Sequence, residues 1–149
     1  MRTVLYDGEC GFCAWIMAGV LRLDEERQIR PLALQDALAA DLLPGMSEED
    51  RFASFHLIGD DEEVRSGGDA LPVLFAELRG TRLFGRALAA APAVTHLLYK
   101  VVAANRSRIG PLIPDAWKSR ARAAIDRRQA ELPGDPVSAA KPELSQANT

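Results

Sequence analysis

Cys10 and Cys13 are the only cysteines in the 149-residue sequence, and two residues separate them. Residues three apart in a helix lie on one face about one turn from each other, so the two thiols can form a disulfide bond without distorting the backbone. Small secreted domains use many cysteines as a disulfide scaffold, which this single close pair cannot provide. The spacing therefore predicts local thiol chemistry, with reversible thiol–disulfide exchange as the main hypothesis.

The residues around the pair predict that a strand ends and a helix begins there. Thr3 to Tyr6 are β-branched or aromatic, and the turn-forming pair Asp7 and Gly8 follows them. From Phe12 onward, apolar residues recur at helical spacing until the charged run that begins at Asp24. The two cysteines are thus expected at the N-terminal turn of the first helix.

This position predicts different roles for the two thiols. Unpaired N–H groups and the helix dipole favour a thiolate on the N-terminal cysteine, so we expect a lowered pKa for Cys10 and assign it as the nucleophile. Cys13 follows one turn deeper, beside apolar residues, and is expected to be the shielded, resolving thiol. Gly11 is expected to leave space for a substrate sulfur. Asp7 is a further catalytic candidate, either as a proton carrier or as a residue that binds turn N–H groups.

The rest of the sequence predicts an α/β arrangement around the cysteine pair. The predicted elements are a strand at Ile29 to Leu34, a helix at Gln35 to Leu43, a short segment capped by Ser47, a hairpin of Ser54 to Ile58 with Glu63 to Ser66, and a helix capped by Asp69 that runs to about Arg79. Together these form a βαβ unit and a ββα unit. The order predicts a thioredoxin-like fold, a four-stranded mixed sheet flanked by helices, with Pro31 on an edge strand.

A C-terminal helical extension is predicted beyond this core. It comprises a long helix from about Arg86 to Asn105, a linker at Gly110 to Pro114, a basic helix at Asp115 to Glu131 and a disordered tail at Leu132 to Thr149. The corresponding division is residues 1–110 for the thioredoxin-like domain with its following helix, 111–131 for the basic extension and 132–149 for the tail.

Composition argues against nucleic acid as a partner and against a membrane-spanning segment in the chain. The net charge is −3 and the pI is near 5.4, so the chain as a whole does not attract polyanions. The apolar stretch from Ala87 to Ala104 is interrupted by Pro92, His96 and Lys100, which predicts a buried helix rather than a membrane span. No export signal is recognisable, and we expect a cytoplasmic location.

Three segments resemble the DCC family of thiol-disulfide oxidoreductases. Tyr6 to Cys13 resembles the family's YDGxCxxC opening, whose Asp, Cys and Cys correspond to Asp7, Cys10 and Cys13. Val64 to Leu71 is similar to its Gly-x-Asp-Ala segment, and Leu98 to Arg106 is similar to its Tyr-to-Asn-Arg helix. The segments occur in the family's order, and the resemblance extends from about Thr3 to Gly110.

The resemblance implies a thioredoxin-like fold and a general redox activity. The redox group would be the Cys10–Cys13 disulfide, with no other cofactor and no metal. The partners would be a thiol or disulfide substrate and an electron donor, neither of which the sequence identifies. Thioredoxins and glutaredoxins carry a proline before the third strand that docks substrate backbone. Arg51 to Ala53 contains none, so we expect that kind of peptide docking to be lost.

Three alternatives to catalysis stay open at this point. Cys10, Cys13, His56 and His96 could form a Cys2His2 zinc set, although the histidines lack the close spacing of a structural finger. The domain could be a binding module with idle thiols, using the arginine-rich last helix. Finally, the disulfide could sense redox state for a partner, although a bond within one helical turn constrains little else.

Overall fold

Four short strands and seven α-helices form the framework of residues 1–132, the part of the chain that this computed structural model describes. The strands are β1 (Arg2–Tyr6), β2 (Ile29–Ala33), β3 (His56–Ile58) and β4 (Val64–Ser66). The helices are α1 (Gly11–Leu23), α2 (Ala37–Leu42), α3 (Glu48–Ala53), α4 (Ala70–Glu77), α5 (Arg82–Ala90), α6 (Pro92–Ile109) and α7 (Asp115–Glu131), with 3-10 helices at Gly67–Asp69 and Gly110–Leu112. The predicted tail lies outside the described residues, apart from Leu132.

The strands form one mixed sheet in the order β2, β1, β3, β4. β1 is parallel to β2 and antiparallel to β3, which in turn is antiparallel to β4. The βαβ and ββα units with their flanking helices confirm the predicted thioredoxin-like α/β fold. Pro31 lies on the edge strand β2, opposite Val4, where its missing N–H disturbs the sheet least.

Alternating residues of β1 contribute to hydrophobic clusters on the two faces of the sheet. Val4 and Tyr6 pack with residues of α1, α4 and α7, whereas Leu5 packs with residues of β2 and α2. Successive side chains of a strand point to opposite faces, so β1 is buried on both sides. The turn after Tyr6 is thereby anchored on a rigid strand.

The single long helix predicted from Arg86 to Asn105 is wrong. The burial expected for Ala87 to Ala104 is wrong too, because Thr95 is the only buried residue of that stretch. The chain forms two helices, α5 and α6, bent by 104° at Ala91 and Pro92. Proline disfavours helical backbone in the residue before it, and Ala91 adopts φ −131° and ψ 64°. The Thr95 hydroxyl donates to the Leu88 carbonyl, which satisfies one acceptor at the end of α5.

The predicted capping role of Asp69 is also wrong. Asp69 is the residue before α4, but its side chain makes no capping hydrogen bond there. Its carboxylate instead hydrogen-bonds the His96 Nε2 on α6 at 2.9 Å. The preceding 3-10 helix gives Asp69 a helical backbone (φ −72°, ψ −27°), whereas a capping residue normally has extended geometry.

The basic helix α7 packs against the domain through α1. Its own residues Ala121 and Ile125 are buried, and its Arg128 forms an ion pair with Asp24 at the end of α1, where both side chains are at least 90 % buried. The division at residue 110 stays a prediction, although α7 contributes to the core. Among residues 1–132 no single helix has the length and hydropathy to cross a bilayer; only the bent α5–α6 pair together meets both criteria.

Candidate active site at the start of the first helix

Cys10 is the N-cap residue of α1. Its backbone is extended (φ −76°, ψ 108°), and its carbonyl accepts the first helical hydrogen bond from the Ala14 N–H. Its sulfur accepts a hydrogen bond from the Cys13 N–H at 3.2 Å. A sulfur in this position occupies the place of a capping oxygen, and a negative charge on it is stabilised by the N–H groups and dipole of the helix end.

Cys13 lies in the first turn of α1 and packs against the main hydrophobic cluster. Burial raises the pKa of its thiol to about 12, with hydrogen bonding to Cys10 and the charge of Cys10 acting in the same direction. The Arg106 guanidinium lowers this pKa, and the Asp7 carboxylate raises it. Cys13 is therefore a neutral thiol near pH 7. Both cysteines are of intermediate exposure, and the resolving role of Cys13 stays a prediction.

Asp7 begins the loop between β1 and α1, and its carboxylate is held in place by two hydrogen bonds. One oxygen accepts from the Glu9 N–H at 3.1 Å and from the Gln35 side-chain amide at 2.7 Å. The same amide group uses its oxygen to accept from the Gly8 N–H. Asp7 thus accepts from one N–H of the turn, in line with one of its two predicted roles, and its negative charge raises the pKa of Cys13.

An open groove of about 560 Å³ lies beside Cys10. Its lining includes Phe12 and four charged groups, the carboxylates of Asp7 and Glu9 and the cations of Arg106 and Lys118. The space expected beside Gly11 is taken by Lys118, because a Cβ at Gly11 would lie 2.9 Å from Lys118 Cδ. The groove beside Cys10 is therefore charged, and the Lys118 stem covers the Gly11 side of it.

Helix α6 reaches the site by packing on two glycines that precede α4. A Cβ on Gly67, whose φ is +53°, would lie 2.7 Å from the Tyr99 ring, and one on Gly68 would lie 2.7 Å from the His96 ring. Only glycine permits this approach. The Gly-x-Asp-Ala and Tyr-to-Asn-Arg segments, about 30 residues apart in sequence, are thus in direct contact.

The backbone immediately before β3 is already hydrogen-bonded. The Phe55 N–H donates to the Tyr99 hydroxyl at 3.2 Å, and the Phe55 carbonyl accepts from the Gly67 N–H. Arg106 donates to the Phe52 carbonyl at 3.1 Å. The segment in which a substrate-docking proline was missing is thus covered by α6.

The two histidines of the zinc alternative lie apart from the cysteine pair and have other partners. His56 is buried in β3, where its Nε2 donates to the Arg51 carbonyl and its Nδ1 accepts from the Ser66 hydroxyl. Burial lowers the pKa of His56, in agreement with this neutral form. His96 is bonded to Asp69. No group of three or more metal-binding side chains occurs within residues 1–132.

Arg106 and Lys118 were missed as site residues. Arg106 ends the segment that resembles the Tyr-to-Asn-Arg helix, so the sequence pointed to this residue, but no role at the site was predicted for it. Lys118 carried no signal, because only the packing of α7 on α1 places it next to Gly11. Both are cations that line the groove beside Cys10.

A CxxC pair at the start of the first helix of a thioredoxin-like sheet is the arrangement of thiol-disulfide proteins. Residues 4–111 match the DCC1-like thiol-disulfide oxidoreductase family, and the chain belongs to this family. The match confirms the resemblance carried by the three sequence segments. Neither a curated protein nor a solved structure matches the chain.

Proposed function

We propose that this protein catalyses dithiol–disulfide exchange, with Cys10 as the attacking thiolate and Cys13 as the resolving thiol. The observation that carries the proposal is the asymmetry of the pair. Cys10 caps α1 and lines an open groove, whereas Cys13 is partly buried against the hydrophobic cluster and its pKa is raised to about 12. The redox group is the cysteine pair itself, and no further cofactor is required.

The reaction has two steps. The Cys10 thiolate attacks one sulfur of a substrate disulfide, whose S–S bond breaks, and the released thiolate takes a proton from water. Cys13 then loses its proton and attacks the Cys10 sulfur, which expels the second substrate thiol and leaves a Cys10–Cys13 disulfide. Two electrons pass from the protein to the substrate, and an external thiol donor restores the dithiol. A reducing compartment would supply such a donor, and the cytoplasmic location stays a prediction.

Asp7 is proposed to take the proton that Cys13 must lose in the second step. Its charge reaches Cys13, and its position is fixed by the Gln35 amide and the Glu9 N–H. A carboxylate near a buried thiol has two opposite effects, since its charge disfavours the thiolate while its basicity favours proton removal. The Asp7→Asn variant separates them: a slower second step indicates proton transfer, whereas an equal or faster one overturns this role.

The direct test of the mechanism compares Cys10→Ser with Cys13→Ser in a disulfide exchange assay. We expect Cys10→Ser to lose exchange entirely, because no other thiol lines the groove and Cys13 packs against the hydrophobic cluster. Cys13→Ser is expected to accumulate a mixed disulfide at Cys10, visible as the mass of one added substrate thiol. Wild-type rates in Cys10→Ser, or a mixed disulfide located at Cys13, would overturn the assignment.

A further inference from the structure

We infer that the substrate is a small disulfide carrying carboxylates, of the amino-acid or short-peptide type, rather than a folded protein; this inference rests on the proposed function. Its basis is the juxtaposition of Cys10 with the Arg106 and Lys118 cations in a groove of about 560 Å³. Grooves of this volume are typical of sites for small molecules.

The cations have donors to offer a carboxylate. Lys118 Nζ pairs with the Asp115 carboxylate at 3.1 Å, but the Asp115 side chain is 97 % exposed, so this contact is weak and easily exchanged for a substrate group. Arg106 uses one N–H for the Phe52 carbonyl, and a guanidinium carries five N–H donors. Charge-assisted bonds from both would orient a carboxylate beside the Cys10 sulfur.

The carboxylates of the groove restrict the substrate further. Asp7 and Glu9 line it together with the two cations. A purely anionic disulfide would meet repulsion from them, whereas an ammonium beside the substrate carboxylate would meet opposite charge. The groove therefore complements a zwitterionic disulfide.

The backbone before β3 argues against an extended protein substrate. Docking an extended peptide on the segment before β3 requires free backbone N–H and C=O groups there. Here the Phe55 N–H, the Phe55 carbonyl and the Phe52 carbonyl are engaged by Tyr99, Gly67 and Arg106. A small disulfide needs none of these groups.

The test follows oxidation of the reduced protein by cystine, cystamine and bis(2-hydroxyethyl) disulfide, with acid quenching and mass detection of the Cys10–Cys13 bond. Cystine and cystamine share their carbon–sulfur skeleton and amines and differ by the carboxylates. We expect cystine to react about five- to tenfold faster than cystamine at low salt, the effect of one or two charge-assisted bonds, and the ratio to fall at high salt.

Lys118→Gln is expected to reduce the cystine-to-cystamine ratio severalfold, because it removes one carboxylate partner. Arg120→Gln, on the same helix but beside Trp15 and Trp117, is the matched control and should leave the ratio unchanged. An equal ratio in wild type and Lys118→Gln, or faster oxidation by the disulfide protein insulin than by cystine, would overturn the inference. Inertness toward all these disulfides would instead refute the proposed function itself.

Discussion

At the scale of single residues, the site depends on giving two chemically identical thiols different surroundings. Cys10 caps a helix and lines a groove, while Cys13, three residues later, is partly buried against the hydrophobic cluster. The backbone turn between them is responsible, because the chain passes from a loop into a helix within this interval. The order of attack and resolution that we propose rests on this local geometry.

The raised pKa of Cys13 predicts selective alkylation. At pH 8 we expect iodoacetamide to modify Cys10 in the native reduced protein and to leave Cys13 unmodified, since a thiol with a pKa of about 12 holds few thiolates there. Peptide mass mapping gives the modified positions. In urea both cysteines should react equally; unequal modification there would point to local sequence rather than burial as the cause.

The same shift predicts that stability falls with alkaline pH. The unfolded state releases the Cys13 proton near its ordinary pKa of 9, whereas the folded state retains it to about 12. Between these values the unfolded state binds fewer protons, so the free energy of unfolding contributed by Cys13 decreases as pH rises. Urea unfolding of the reduced wild type and of Cys13→Ala at pH 8 to 11 should show a narrowing difference, and a constant difference would contradict the shift.

At the scale of elements, α6 completes the site from outside the strand–helix unit that holds the cysteines. Its Tyr99 and Arg106 form hydrogen bonds with the backbone of Phe55 and Phe52. Its contact with Gly67 and Gly68 sets how closely α6 approaches this backbone. The groove beside Cys10 therefore depends on two glycines that are distant in sequence from the cysteines.

Gly67→Ala is expected to destabilise the fold by about 1–3 kcal/mol. The new Cβ would clash with the Tyr99 ring, and alanine would have to adopt the positive φ of Gly67. Gly45→Ala is the matched control, since Gly45 has φ +78° but open space around its Cβ position. Urea denaturation of both variants isolates the clash. Equal losses would mean that backbone strain alone matters and that the α6 contact is adaptable.

At the scale of the whole molecule, α7 connects the end of the described chain to its beginning. Arg128 donates to the Asp24 carboxylate and to the carbonyls of Leu21, Asp24 and Ile29, while that carboxylate also accepts from the Ile29 N–H. One guanidinium thus joins the end of α1 to the start of β2. The Lys118 side chain beside Gly11 is carried on the same helix.

Arg128→Met is expected to cost about 3–5 kcal/mol, because it leaves the buried Asp24 carboxylate without its countercharge. Arg127→Met, at the neighbouring exposed position, should change the free energy of unfolding by less than about 0.5 kcal/mol. Chemical denaturation measures both. Similar small effects in the two variants would show that α7 docks without this ion pair.

Local sequence was sufficient to predict the first strand and the edge position of Pro31, because β-branched residues favour strands and proline lacks the N–H that a central strand needs. The cysteine spacing is read directly from the sequence. The hydrogen bond between Asp69 and His96 joins residues 27 positions apart and could not be read from capping rules. The placement of Lys118 required the docking of α7. The break between α5 and α6, by contrast, could have been predicted, because proline disfavours helical backbone in the residue before it and Pro92 is visible in the sequence.

The position of the bend at Pro92 also determines which side of α6 faces the cysteines. Tyr99 and Arg106 are seven residues apart, close to two full helical turns, so they share one side of the helix. One residue inserted between Pro92 and Tyr99 would rotate both by about 100° about the helix axis. The number of residues in α6 before Tyr99 is therefore constrained by geometry. A one-residue insertion or deletion there would remove the Tyr99 hydroxyl and the Arg106 guanidinium from the site together, although both cysteines would be unchanged.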